Sequence, residues 1–211
     1  KLQNDPARLS KAFEMTLWLI LTLATPIALA IFVAAPDFLI LLYGEKWLPS
    51  AILLRFLIAY SLLRPLLDDT GALFVAIGQP KRVTIVLTTQ AALLILAATP
   101  LTLTLDAIGT SIGVGVAFVV GIALTYRFVS QTIPIDLARV FAPAIIAAAG
   151  SSVFYLFLAR LFDFNLLPLL LRVIVKGGLA ASIFFAMVLL LERRALFDRV
   201  NYVRRLLLAR Q

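Results

Sequence analysis

Residues 51–82 read "AILLRFLIAYSLLRPLLDDTGALFVAIGQPKR". From Ala51 to Ile77 the stretch is mostly Leu, Ile, Ala, Phe and Val. As one helix at about 1.5 Å per residue it is about 40 Å long, more than the roughly 30 Å of a bilayer's hydrocarbon core. Arg55, Arg64, Pro65, Asp68 and Asp69 interrupt it. A charged side chain at the centre of a membrane helix costs about 2.5–3.5 kcal/mol, so such residues face a protein interior or a wet cavity. The stretch therefore reads as a membrane span whose charges need a reason.

The rest of the chain agrees. It has 211 residues, of which 63% are hydrophobic and 14% charged, and its mean hydropathy is +1.05. Soluble domains run at about 45–50% apolar and about 25% charged. Six spans fit: Thr16–Ala35, Ala51–Ile77, Val83–Leu101, Ala107–Tyr126, Val140–Ala159 and Leu166–Leu191. The connectors between them are "PDFLILLYGEKWLPS", "GQPKR", "TLTLD", "RFVSQTIPIDLAR" and "RLFDF", none large enough to be a domain. The expected fold is all-α and polytopic, with a cytoplasmic lead-in over 1–15, four spans over 16–126, two more over 127–191 and a basic amphipathic tail over 192–211. The polar start does not resemble a cleavable leader, and its mid-pattern opening reads as the C-terminal portion of a longer protein.

With six spans the connectors alternate between two sides. Of the 19 Lys and Arg, 13 fall on the side of the termini, two on the other side and four within spans. Such asymmetry in short loops predicts cytoplasmic termini. It also explains the net charge of +8 without nucleic acid, because the excess lies in loops and in a tail that reads as an interfacial helix on anionic lipid. Cys and His are absent, which removes disulfides, thiolate or imidazole metal sites and the Ser-His-Asp arrangement. No metal or cofactor is expected.

Arg64 and Asp68 stand four apart on one helical face, where each partly compensates the other. Asp69 points about 100° away and needs its own partner, a proton or water. Pro65 removes the donor for the Ser61 carbonyl and predicts a bend. Two readings are open: a buried ion pair that fixes packing, with Asp69 taken up by a neighbouring Thr or Ser, or groups lining a hydrated passage. Arg55 lies near the outer end and is expected to snorkel. Arg172 and Lys176, one turn apart in the last span, either snorkel to the outer headgroups or join the passage. The spans carry four basic and two acidic groups, a sign that favours an anionic substrate. Gly109 and Gly113 read as close helix packing, and "GQPKR" as a turn with two charges.

"DPARLSKAF", "LLYGEKWLPSAILLRFL", "GALFVAIGQPKR" and "DAIGTSIGVGVAFVVG", in that order, resemble the polysaccharide exporter branch of the multidrug/oligosaccharidyl-lipid/polysaccharide flippase superfamily. The resemblance covers most of residues 5–128. It implies two six-helix bundles around a central cavity, of which this chain holds the last four helices of the second bundle and two extra C-terminal helices. It further implies export of an undecaprenyl-diphosphate-linked oligosaccharide across the bacterial inner membrane by alternating access, with no covalent chemistry. Membrane lipids and polysaccharide polymerase machinery are the expected neighbours. On burial and charge, Arg55, Arg64, Arg172 and Lys176 are the candidate diphosphate ligands, and Asp68 and Asp69 the candidates for ion pairing or ion coupling. The rivals are a cation-coupled multidrug exporter, which calls for acidic spans, an enzyme of glycan assembly, which calls for a large loop bearing acids or bases, and a scaffold subunit.

Overall fold

The computed structural model describes the backbone of residues 6–208 and the side chains of residues 8–193. Every regular element within them is helical: α1 (Pro6–Tyr43), α2 (Ala51–Ala76), α3 (Pro80–Leu93), α4 (Thr99–Ser130), α5 (Leu137–Leu161) and α6 (Leu169–Leu208). Short 3₁₀ turns cover Glu45–Ser50 and Phe164–Leu166. Five helical segments are long and apolar enough to cross a membrane, and the third of them, Pro80–Ser130, is 51 residues long.

That third segment folds back on itself. α3 passes through a π turn at Leu94–Ala98 into the start of α4. At Asp106 the backbone takes φ 52° and ψ −136°, a positive-φ conformation that favours glycine and strains a residue with a Cβ. Beyond it the chain returns antiparallel. The Thr102 and Thr110 hydroxyls meet at 2.7 Å. A Cβ on Gly109 would strike the Leu101 carbonyl, one on Gly113 would strike Ala98, and one on Gly121 would strike Gln90. Gly109 and Gly113 thus let the two limbs touch backbone to backbone, as the small-residue spacing predicts, and Gly121 makes room for the Gln90 side chain. Each limb of this hairpin, 80–105 and 107–130, is long enough to cross a bilayer by itself, in line with the six spans read from the sequence.

Local chemistry explains the other turns. Gly44 (φ 87°) and Gly78 (φ 76°) occupy backbone regions that suit glycine. After Gly78, the Gln79 N–H donates to the Phe74 carbonyl (2.8 Å) and closes α2; Pro80 then opens α3, where its missing N–H costs nothing. Asp136 caps α5 by accepting from the Arg139 N–H at 3.1 Å.

Several boundaries differ from the sequence reading. α1 begins at Pro6, so the described part of the lead-in is already helix, and it runs on through Pro36 to Tyr43. Most of the expected connector 36–50 is therefore helical. α2, by contrast, ends within one residue of the expected span and carries Pro65 inside it. Arg82 is more than a topology charge: it donates to the Phe128 carbonyl (2.6 Å) and to the Thr132 hydroxyl (2.5 Å), and its guanidinium lies over the Phe74 and Phe128 rings. It ties the α2–α3 turn to the end of α4. The backbone breaks from helical geometry at Glu192 (φ −115°, ψ 19°); beyond it the tail is helical to Leu208, while its side chains lie outside the described residues.

α1 is the shared spine. On one flank, Phe13, Leu17 and Leu21 pack with Leu66, Leu73 and Phe74 of α2 and with Tyr126 and Val129 of α4. On the other, Leu29 packs against Ala147 of α5 and Phe184 and Val188 of α6. Two polar ties bind α1 to α6. Towards the termini the Trp18 Nε1 donates to Glu192 (2.7 Å, buried). Towards the opposite side Asp37 engages α6. Many Leu, Ile, Val and Phe side chains face outward, as expected where lipid or further protein replaces water.

Candidate functional site

The charges predicted to act together are separated into two places. Arg64 is the fourteenth of 26 residues in α2, close to mid-span. Its Nε lies 3.8 Å from Asp68 Oδ2, and the two side chains are 73% and 71% exposed. The pair makes no packing contact with the rest of this chain: it faces away from the bundle, on a stripe with Leu57, Ser61 and Val75. Burial of the opposite face explains this, because Leu66, Thr70, Leu73 and Phe74 supply the core contacts of α2. A pair so exposed at mid-span has no business in bare hydrocarbon.

Asp68 also edges a cavity of about 270 Å³ between α2, α3 and α4, whose other polar lining groups are Gln90 and Thr125. The Thr125 hydroxyl is buried and without a hydrogen-bond partner among the described residues. A cavity of this size with three polar groups on its wall has room for water. Asp69 sits next to it in sequence but turns inward, close to Tyr126. One of its carboxylate oxygens is buried without a hydrogen bond, so the neighbouring Thr70 does not take it up; Thr70 donates to the Leu66 carbonyl instead (2.6 Å).

The other three candidate cations gather at the far end of α1. Arg172 Nη1 donates to Asp37 Oδ1 (3.1 Å) and Lys176 Nζ to Asp37 Oδ2 (2.6 Å), with Asp37 only 6% exposed and the two cations 21% and 18%. Arg172 also donates to the Asn165 and Leu167 carbonyls, each at 3.3 Å. These residues do not snorkel; they turn inward to an anion in α1. Asp37 was missed because its stretch reads as a connector, although its position at the end of a span opposite two unpaired cations was a usable signal. Arg55 has its own partner. Pro36 lacks the N–H that would serve the Phe32 carbonyl, and Arg55 Nε supplies that donor at 3.1 Å while its guanidinium lies 5.6 Å from the Phe32 ring centroid. Among the described residues no group of His, Cys, Asp and Glu side chains is arranged to hold a metal ion.

Residues 1–52, which span α1 and the turn after it, match a family described as polysaccharide biosynthesis protein. No curated protein and no solved structure matches the chain. The first two stretches of the exporter resemblance fall wholly or largely within the matched region, whereas Arg64, Asp68 and the α3–α4 hairpin lie beyond it. The chain is a multi-pass, all-helical membrane protein whose first span and following turn are similar to a family of polysaccharide biosynthesis.

Proposed function

We propose that this chain forms part of a flippase that moves undecaprenyl-diphosphate-linked oligosaccharide units from the inner to the outer leaflet of the bacterial cytoplasmic membrane, with both termini cytoplasmic. The observation that carries the reading is the mid-span Arg64–Asp68 pair turned away from the packed bundle. A charged stripe at that depth needs water or a charged ligand beside it, and alternating access supplies both. The family match supports the pathway. No covalent step is required, so the protein is not an enzyme in this reading, and polymerase machinery is a natural recipient of the exported unit.

Arg172, Lys176 and Arg55 hold partners on α1, whereas Arg64 faces away from the bundle; in this reading Arg64 is the cation that meets the passing diphosphate, its planar fork suited to phosphate oxygens. Asp69, with its free buried oxygen, is the better placed of the two acids for a coupling ion or proton.

The test uses the full protein in cells that depend on it for surface polysaccharide. Arg64→Gln should lower surface polysaccharide about tenfold, the worth of one charge-assisted hydrogen bond, with normal protein levels. Single cysteines at positions 61, 64 and 68 should react with water-soluble maleimide, and lipid-linked oligosaccharide should protect them. Undiminished export by Arg64→Gln, or silent cysteines beside reactive loop controls, overturns the assignment.

A further inference from the structure

Beside the Asp37 cluster lies a second cavity, of about 400 Å³, between the end of α5 and the turn into α6. It is lined by Tyr155, Arg160, Asp163, Phe164, Asn165 and Lys176. Its walls are held firmly. The Tyr155 and Phe164 rings stack at 6.3 Å and 6°, Lys176 Nζ sits 5.9 Å from the Phe164 centroid, and Asp163 accepts from the Asn165 N–H at 2.9 Å. Directly adjoining is an apolar groove of about 100 Å³ between α1, α5 and α6, lined by Phe32, Val33, Ser152, Leu156 and Ala180. Tyr155 belongs to both linings. A polar recess therefore shares a wall with a short apolar slot between the helices.

We propose that this recess and slot form a binding site for an anionic glycerophospholipid, its phosphate in the recess against Arg160 and Lys176 and the first methylenes of one acyl chain in the slot. Charge selects the ligand. Arg160, Lys176 and Arg172 stand against Asp37 and Asp163, with Arg55 close by on Phe32 of the slot, so positive charge is in excess around the recess and suits a phosphate-bearing headgroup. The ammonium of Lys176 has three donors and spends one on Asp37, so two remain for phosphate oxygens. Asp163 and Asn165 suit headgroup hydroxyls. Position selects it too: the recess opens on the face opposite the termini, where α5 ends, at the depth of headgroups. A second copy of the chain would present apolar side chains to a recess lined by charge and is disfavoured for that reason. The site is separate from the Arg64–Asp68 stripe, so it stands or falls apart from the transport reading.

The test is native mass spectrometry of the full protein released from nanodiscs of equal phosphatidylglycerol and phosphatidylethanolamine. The wild type should retain one phosphatidylglycerol in preference to phosphatidylethanolamine. Arg160→Gln should cut that retention about fivefold, the value of about 1 kcal/mol per basic residue near a membrane surface. Ser152→Phe, which fills the slot without touching a charge, should cut it as well. Equal retention of both lipids, or retention unaffected by both variants, overturns the proposal. So does displacement of phosphatidylglycerol by equimolar farnesyl diphosphate, which would assign the recess to a diphosphate. Thermal unfolding of each variant in detergent shows whether it is folded; if Arg160→Gln is not, Ser152→Phe alone decides.

Discussion

Asp37 shows how one acid can govern two cations. It is 4% exposed as a residue, and each of its oxygens has a different basic partner. Asp37→Asn would leave Arg172 and Lys176 facing each other with no anion between them, at a cost of about 3 kcal/mol. Lys176→Gln keeps the Asp37–Arg172 contact and should cost about 1 kcal/mol. Unfolding of the purified protein in detergent, followed by tryptophan fluorescence, should rank the variants in that order; the reverse order contradicts the shared-anion arrangement. The sequence made Arg172 and Lys176 conspicuous but not their partner, because Pro36 and Asp37 read as the start of a connector, and hydropathy does not fix a span's rotation. The same blindness applies to Arg64 and Asp68. Their four-residue spacing predicted the pair correctly, yet only the three-dimensional packing shows that it faces outward.

Among the elements, α1 carries the least expected chemistry. Its expected span ends at Ala35, just before Pro36 and Asp37, yet the helix runs through both to Tyr43. The helix survives Pro36 because Arg55, from the next helix, serves the carbonyl that the proline abandons. A double-mutant cycle tests this exchange. Arg55→Gln alone should cost about 1 kcal/mol, but in a Pro36→Ala background, where the helix supplies its own donor, the cost should nearly vanish, a coupling of similar size. Additive effects would mean that Arg55 acts only through its stacking on Phe32. The α3–α4 hairpin is the contrary case. Its spans were legible from hydropathy and its glycines from their spacing, but the reversal at a single non-glycine residue, Asp106, was not. The sequence "TLTLD" reads as a five-residue connector, and four of those residues are helical.

For the whole molecule, six passages make a definite prediction about sidedness. A cysteine at Asp106 should react from the same face as one at Asp163, and a cysteine at Gln131 from the opposite face. A continuous 51-residue rod in place of the hairpin would put Asp106 in the hydrocarbon and leave its cysteine unlabelled. The absence of native Cys makes the experiment clean. One arrangement of the whole has a further consequence. The tryptophan–glutamate contact and the aspartate cluster fasten α1 to α6 at points 19 residues apart on α1, about 28 Å of helix. Polar groups at those two levels belong at the borders of the oily layer, and because both helices are clamped there, neither can slide past the other to suit a thicker or thinner one. The molecule carries a fixed gauge of membrane thickness. In a bilayer of another depth, the lipids must stretch or thin around it, or the pair must tilt as one body.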